Sequence, residues 1–442
     1  MRGTWKGIPT ADWLKETARS GLLQGQFIRG VTVLAGGAAL GQAINVLVSP
    51  AITRLYSPTD FGVYAVYASV LGIVTVVASL CFEYAIPIPE DDESAANILA
   101  LCFVILLGTN MLSWLAIYAL GDQFVKWANV PVLGSYLCLI PLGMLGAGIY
   151  TILSYWAIRK RDYVSLGKTR ISRAVARASL QIGLGYATPG PIGLLLGYFA
   201  GESAGSASLF AAIWNKDRNI LRAVNLQKLL ETSGRYKRFP IFNGLGSLID
   251  ALGSYAPQFL FAAFYSAEVA GWFALAQLVI ASPLGVVVNA VDQVYFGEAA
   301  RLPKNDPASM KRLFLKLTKW LAFGAIPVAL LCTFAPLFFP FVFGPEWETA
   351  GRYAQILGLM FAIRFAVMPL QNTLNILERQ DQFIPWESLK LIMAVGALLA
   401  GKALGFSHIA TVAAYSLAMS AVYIVLWIVI WRVLKIACKS NN

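Results

Sequence analysis

Long apolar segments follow one another through most of this chain of 442 residues. Hydrophobic residues make up 58% of the sequence and charged residues 13%, whereas soluble domains carry about 25% charged residues. A soluble core of this size cannot bury so much apolar surface, so we expect the chain to reside in lipid. A helix needs about 20 apolar residues to cross the hydrocarbon. The segments of that length predict an all-α integral membrane protein with twelve transmembrane helices, at residues 28–54, 61–86, 95–120, 133–158, 170–188, 191–214, 239–264, 269–296, 312–335, 349–376, 383–404 and 409–434.

A basic stretch divides the twelve predicted helices into two sets of six. We expect an N-terminal six-helix bundle at 28–214, a cytoplasmic linker at 215–238 and a C-terminal six-helix bundle at 239–436. Residues 1–27 have no apolar core typical of a signal peptide. They form either an amphipathic segment on the cytoplasmic membrane surface or a disordered tail. We expect residues 437–442 to be a cytoplasmic tail.

The positions of lysine and arginine predict the orientation. A cytoplasmic N-terminus places every connection that follows an even-numbered helix, and the C-terminus, on the inside. All but six of the 35 lysines and arginines then lie on the cytoplasmic side, as the positive-inside rule requires. We therefore expect a multi-pass protein with both termini in the cytoplasm. The exceptions are Arg54, Lys126, Arg352, Arg364, Lys390 and Lys402.

A stretch of ten residues occurs twice, 209 positions apart from Tyr56 to Tyr265. Residues 56–65 (YSPTDFGVYA) and 265–274 (YSAEVAGWFA) share Tyr, Ser, Gly, an aromatic residue and Ala in register. Each copy lies in a short turn between two apolar segments, which indicates a duplicated bundle. Six helices per half give the two halves the same orientation. Parallel repeats of this kind are typical of transporters with a substrate site at the interface of the halves.

The sequence lacks the motifs of common enzyme chemistry. It contains no phosphate-binding G-x-x-x-x-G-K-[ST] loop and no H-E-x-x-H pair, and the predicted outer loops are too short for a catalytic domain. We expect no enzyme activity and no cofactor. His408 is the only histidine and the five cysteines form no C-x-x-C pair, so no metal site is predicted. The basic residues are split among membrane connections, which indicates contact with anionic lipids rather than nucleic acid.

Charged residues inside predicted helices are the main candidates for function, because a charge at mid-membrane depth is costly. Arg364, Asp250, Glu202 and Lys390 all lie well within a span. One interpretation is a water-filled cavity lined by cations, with Arg364, Lys390 and Glu202 in contact with substrate. The alternative is structural: Asp250 pairs with Arg364 across helices, and Glu387 pairs with Lys390 along one helix.

Three arginines form a stripe at the cytoplasmic end of the fifth span. Arg170, Arg173 and Arg177 recur at intervals that place them on one helix face. Since a guanidinium group holds phosphate oxygens in a bidentate fork, Arg173 and Arg177 are candidates for binding a phosphorylated lipid head group. The alternative is that the stripe anchors the helix at the membrane interface.

The repeat offset also aligns two acidic residues, Glu83 and Asp292. Both lie late in the second span of their half. With Asp250, they are candidates for coupling transport to a proton or a sodium ion. The alternative for Glu83 and Asp292 is that both reach cytoplasmic water.

Three segments resemble a known family. Residues 54–65 (RLYSPTDFGVYA) carry the most specific similarity, and residues 343–347 (FGPEW) and the acidic connection 87–93 (PIPEDDE) add to it. The chain resembles the polysaccharide biosynthesis flippases that move lipid-linked oligosaccharides such as O-antigen units. Their superfamily includes multidrug and toxin extruders and peptidoglycan-precursor flippases.

The resemblance implies two six-helix bundles arranged as a V around a central cationic cavity, working by alternating access. It implies an undecaprenyl-diphosphate-linked sugar unit as substrate, moved from the inner to the outer leaflet of the bacterial inner membrane. Polysaccharide polymerase and chain-length proteins would act on the product. Two other functions stay open at this point. A cation-coupled drug exporter of the same superfamily would favour an acidic, aromatic cavity, and a membrane glycosyltransferase is disfavoured by the short outer loops.

Overall fold

Six long helices form the first half of the chain. The computed structural model describes residues 11–221, 224–237, 239–301, 307–377 and 379–440. In the first half, its helices are α1 (Ala11–Leu55), α2 (Pro58–Val76), α3 (Asp92–Ala128), α4 (Leu139–Arg159), α5 (Tyr163–Ala187) and α6 (Ile192–Leu221). The predicted N-terminal segment falls outside the described residues up to position 10, and its remainder is the beginning of α1.

A short helix, α7 (Leu226–Arg235), lies within the predicted basic linker, where Lys228 forms an ion pair of 2.6 Å with Glu93 of α3. The second half contains α8 (Leu245–Phe264), α9 (Ala267–Arg301), α10 (Pro307–Thr333), α11 (Ala335–Phe343), α12 (Glu348–Val367), α13 (Thr373–Ile376), α14 (Phe383–Ala403) and α15 (His408–Ser440). Residues 441 and 442 of the predicted tail are outside the described residues.

The structure confirms the predicted all-α membrane class. Across the described ranges, nine helical stretches are long and apolar enough to cross a membrane: α1 from Thr32, α2, α3, α4, α9, α10, the stretch Pro345–Ile376 that includes α12 and α13, α14 and α15. Three further helices in predicted spans, α5, α6 and α8, do not meet this criterion. They have 25, 30 and 20 residues, and α5 carries four basic residues. The count of twelve spans therefore stays a prediction.

Packing within each half is continuous. In the first half, α5 packs against α1 and α6, and α4 packs against α3 and α6. In the second half, α14 packs against α8 and α15, while α12 packs against α9, α10 and α15. Between the halves, α2 packs against α8 and α9. The two helices that begin at the repeated motif, α2 and α9, therefore meet each other.

Both copies of the motif begin a helix at the same position. The Ser57 hydroxyl accepts the amide hydrogen of Asp60 at 3.2 Å, and the Asp60 carboxylate accepts the amide hydrogen of Ser57 at 3.1 Å. This capping box starts α2, with Pro58 in its first turn. In the second copy, Ser266 accepts the amide hydrogen of Val269 at 3.2 Å. The shared serine thus satisfies an N-terminal amide group of each helix.

The repeated glycine of each copy lies against the other copy. A Cβ atom on Gly62 would overlap the carbonyl oxygen of Ala267, and a Cβ atom on Gly271 would overlap the carbonyl oxygen of Pro58. Ala267 and Pro58 are the equivalent first residues of α9 and α2. Only glycine allows backbones to approach this closely. The crossing of α2 and α9 is therefore a symmetric contact between the two halves.

A tryptophan extends this contact at the same end of the molecule, which we call the outer end in keeping with the predicted orientation. The Trp347 indole donates a hydrogen bond of 3.1 Å to the carbonyl of Thr53 near the end of α1, and its ring meets Phe61 edge-on at 5.0 Å. Trp347 is 1% exposed. The segment 343–347 and the first copy of the motif are thus in contact, and the outer end is closed between the halves.

We expect Gly271→Val to open the outer end, because overpacking a tight contact costs about 1–3 kcal/mol and this contact exists only while the halves touch. In a cysteine-free background that carries Ser69→Cys beneath the crossing, labelling by a membrane-impermeant maleimide from outside should rise roughly tenfold. Gly285→Val is the matched control on α9, since a Cβ atom there meets no atom within 4 Å. Equal labelling of the two variants would refute the role of the crossing.

Candidate functional site

A cavity of about 420 Å³ lies between the halves, on the inner side of the α2–α9 crossing. Helices from both halves form its wall: α2, α4, α6 and α8. Its polar lining includes Glu83, Glu202 and Asp250 together with Tyr198 and Tyr255. Among the described residues that line it, none is a lysine or an arginine. This differs from the expected cationic lining, because the cations stand one layer behind the carboxylates that neutralise them.

The first of these neutralised clusters joins α5 to α6. Arg173 and Arg177, one turn apart on α5, both form ion pairs with Glu202 of α6; the Arg177 pair measures 2.5 Å. Arg173 also donates a hydrogen bond of 2.9 Å to the carbonyl of Gly201. The structure therefore brings together three residues that the sequence singled out separately. We call Arg173, Arg177 and Glu202 the arginine cluster.

Glycines and tyrosines shape the space around the arginine cluster. A Cβ atom on Gly201 would lie 2.9 Å from the Cβ of Arg177, so only glycine lets α6 approach α5 here. The two guanidinium carbons lie over aromatic rings, Arg173 at 4.0 Å from Tyr150 and Arg177 at 4.3 Å from Tyr198. These cation–π contacts stabilise the two partly buried charges.

These tyrosines were not among the residues predicted to form the site. Tyr198 precedes Glu202 by four residues on α6, and this spacing places both on one helix face. That spacing was a usable signal.

The arginine cluster has unused hydrogen-bonding capacity. One carboxylate serves two guanidinium groups, which leaves a net positive charge. The Nε of Arg177 is buried without a hydrogen-bond partner. Glu202 lines the central cavity, whereas Arg177 lines a smaller cavity of about 130 Å³ that is formed by the first half and by Leu278 of α9. The cluster thus forms part of the wall between two cavities and presents its carboxylate to the larger one.

A second cluster, in the other half, has the opposite charge balance. Lys390 of α14 lies between Asp250 of α8 and Glu387, at 2.5 Å from a carboxylate oxygen of each. Its side chain is 9% exposed, whereas that of Asp250 is 56% exposed. We call these three residues the lysine cluster. The pairing of Glu387 with Lys390 is as the structural alternative predicts, but the partner of Asp250 is Lys390 and not Arg364.

Arg364 lies apart from both clusters. It is an exposed residue in the last turn of α12, and its guanidinium carbon is 6.0 Å from the ring of Phe361. It is not among the residues that line the cavities described above. Its predicted position near the middle of a span therefore does not correspond to a position at the central cavity. A role for Arg364 in substrate binding stays a prediction.

The two aligned acids occupy different environments. Glu83 is buried in a 3-10 turn after α2, where it accepts a hydrogen bond of 2.6 Å from Ser79 and lines the central cavity. Asp292 lies within the continuous helix α9 and accepts a hydrogen bond of 2.7 Å from Asn372. The sequence predicts that the second span runs to residue 86, but α2 ends at Val76. The two halves differ here, and ion coupling at either acid stays a prediction.

Comparison with known proteins shows the family to which this chain belongs. A family model described as polysaccharide biosynthesis protein matches residues 51–352, more than half of the chain. The amylovoran biosynthesis protein AmsL of Erwinia amylovora is 23% identical over 257 residues, which cover 58% of this chain and 65% of that protein. The teichuronic acid biosynthesis protein TuaB of Bacillus subtilis is 26% identical over 156 residues, or 35% and 32% of the two chains. The chain thus spans less than two thirds of the length of each relative.

Solved structures share the fold. The lipid II flippase MurJ in an inward closed conformation has a TM-score of 0.68 at 12% identity, over 94% of this chain and 90% of that one. An inward-facing multidrug resistance MATE family transporter of the MOP superfamily has a TM-score of 0.63 at 13% identity, over 93% and 96%. An outward-facing one has a TM-score of 0.56 at 13% identity, over the same shares.

The lysine cluster generates a prediction about stability. Lys390→Met would leave Glu387 and Asp250 without their cation, and removing one partner of a buried ion pair costs about 3–5 kcal/mol. We expect the free energy of unfolding in mixed micelles to fall by that order. The control is Arg352→Met, because Arg352 is 55% exposed in its pair with Glu348 and such pairs contribute about 0–1 kcal/mol. Similar losses in both variants would contradict a stabilising role of Lys390.

Proposed function

Because this chain belongs to the family of polysaccharide biosynthesis proteins, we propose that it is a flippase for lipid-linked sugar units. It moves an undecaprenyl-diphosphate-linked oligosaccharide, such as an O-antigen unit, from the inner to the outer leaflet of the bacterial inner membrane. A diphosphate-sugar head group cannot cross hydrocarbon unaided, because its charges would lose their hydration. A polar cavity between two moving halves replaces that water, while the polyprenyl tail stays in lipid.

The observation that carries this proposal is the convergence of Arg173 and Arg177 on Glu202 at the wall of the central cavity. Guanidinium groups bind diphosphate oxygens through paired hydrogen bonds, and the Nε of Arg177 has no partner to give up. The tyrosine rings and carboxylates of the cavity suit sugar faces and sugar hydroxyl groups. We place the diphosphate at the two arginines and the sugars in the cavity of about 420 Å³.

We further propose that α5, α6 and α8 are spans, which completes twelve helices in two six-helix bundles around the cavity. Four charged residues of these helices, Arg173, Arg177, Glu202 and Asp250, are paired in the arginine and lysine clusters. The positive-inside distribution supports cytoplasmic termini. Bundle boundaries at 28–214 and 239–436 follow from the linker between them.

Alternating access then consists of opening the α2–α9 crossing and closing the inner end. Glu83, Asp250 and Asp292 are proposed sites for a coupling proton or sodium ion. Lys390 is proposed to affect substrate binding indirectly, because it neutralises Asp250, which lines the cavity. Polymerase and chain-length proteins would consume the product on the outer side.

One observation favours a second function, export of organic cations. The central cavity is lined by three carboxylates and by tyrosines, and such a lining also suits a lipophilic cation. The family favours the first function, and so does the pairing of Glu202 with two arginines, which cancels the charge that would attract a cation.

The test of the flippase uses inverted membrane vesicles and labelled undecaprenyl-diphosphate oligosaccharide. We expect Arg177→Ala to reduce accumulation at least about thirtyfold, because a lost charge-assisted contact to a diphosphate costs roughly 2–3 kcal/mol and the paired arginine is disturbed as well. Arg170→Ala is the control on the same helix face, since Arg170 is exposed and makes only a long hydrogen bond to Leu34. Equal activity of the two variants would contradict a binding role for Arg177.

The same vesicles test the second function. We expect uptake of a fluorescent quaternary ammonium dye to match that of vesicles without the protein, at any imposed proton or sodium gradient. Gradient-driven uptake of the dye that disappears in Glu202→Gln would instead establish cation export.

A further inference from the structure

Both arginines are paired with Glu202, so another anion that binds these arginines must displace its carboxylate. We propose that Glu202 is a proton-coupling residue: a diphosphate that binds Arg173 and Arg177 displaces its carboxylate, which then takes up one proton from the cavity water. The inference rests on the proposed function, since it assumes that the ligand of the arginine cluster is a diphosphate.

Charge balance favours protonation of Glu202 when a diphosphate is bound. Without a ligand, two guanidinium groups and one carboxylate leave the cluster with a single positive charge. A diphosphate diester carries one negative charge on each phosphate. If Glu202 stayed ionised, three anionic groups would share two cations in a wall of apolar helices, and such an excess charge is strongly disfavoured there. Protonated Glu202 leaves two cations facing two anionic phosphates, which is neutral.

The position of the Glu202 carboxylate, between the two arginines and the cavity, also favours this exchange. Both carboxylate oxygens of Glu202 are engaged by arginines, so the ligand and Glu202 compete for the same donors. Glu202 also lines the cavity, which gives the released carboxylate access to water as the source of its proton. Once protonated, the carboxyl group becomes a hydrogen-bond donor, and the ligand's own phosphate oxygen lies within the same cluster to accept it.

No other group near Glu202 performs this exchange. From α5 the two arginines face it, and the Tyr150 ring of α4 stacks on one of them, Arg173. From α2 it faces Tyr64 and Tyr67, from its own helix Tyr198, and across the cavity Glu83, Asp250 and Tyr255. Phenols do not ionise near neutral pH. Glu83 and Asp250 are bound to Ser79 and Lys390 and not to either arginine.

The lysine cluster shows why the exchange belongs to the first half. There, one cation serves two carboxylates, so the net charge is negative and an incoming phosphate is repelled. An anion gains nothing by displacing either acid. Proton uptake on diphosphate binding is therefore specific to Glu202, and the proton that travels with the head group lowers the charge carried through the membrane by one.

The experiment measures binding of dimethyl diphosphate, with one methyl ester on each phosphate, to the full-length protein in nanodiscs. This probe stays doubly charged at every pH used, so protons taken up belong to the protein. Calorimetry in two buffers of different ionisation enthalpy counts them. For the wild type we expect uptake of about one proton, and an affinity that falls about tenfold per pH unit on raising the pH, because the bound form holds the extra proton.

Three variants complete the test. Glu202→Gln should bind the probe more tightly, with no proton uptake and no pH dependence, since nothing is left to displace. Glu202→Asp should restore the uptake, which a purely structural role would not require. Glu387→Gln is the matched control, because the side chains of Glu202 and Glu387 are 18% and 15% exposed, and it should take up protons as the wild type does.

The outcomes separate the two proposals. Binding of the probe by the wild type without proton uptake, or uptake that persists in Glu202→Gln, overturns the role of Glu202 and leaves the flippase intact. Uptake lost in Asp250→Asn but kept in Glu202→Gln assigns coupling to the other half and also overturns it. No binding of the probe by the wild type or by Glu202→Gln removes the diphosphate site itself, and with it both proposals.

Discussion

The backbone contact of α2 with α9 is the constraint on which the arrangement of the halves depends. Each helix begins at a copy of the same motif, each is capped by the shared serine, and each carries the shared glycine against the first residue of the other. Any side chain at Gly62 or Gly271 would separate the two backbones. The central cavity exists beneath this crossing because the halves touch at the outer end and diverge below it.

Charge neutralisation within each half is the second organising principle. An unpaired charge is costly in a membrane, and the charges of each cluster are paired within one half. The ion pairs join α5 to α6 in the first half and α8 to α14 in the second. No ion pair ties one cluster to the other among those that the described residues form. Because the pairs do not cross the interface, the halves can move relative to each other without breaking a buried salt bridge. The first cluster has one cation in excess and the second has one anion in excess, so they offer different chemistry to one substrate.

The sequence predicted much of this from local signals. Apolar segments indicated the membrane class, and the repeat located the crossing. The spacing of Arg173 and Arg177 placed them on one face of α5. The pairings were harder. The structural alternative paired Asp250 with Arg364, yet Asp250 binds Lys390, 140 positions away. The end of α2 at Val76 was missed, because the residues that follow are as apolar as the helix itself.

Hydropathy, charge distribution and the repeated motif by themselves determined that the chain is a helical membrane protein with two related halves, since these properties follow from how each short segment interacts with lipid and water. Only the tertiary structure decided that Glu202 faces the cavity in front of the two arginines, and that Lys390 lies behind Asp250, which lines the same cavity. Those positions depend on how each helix is rotated about its own axis and on which helix lies beside it. Contacts between distant segments fix both, and no local pattern encodes them.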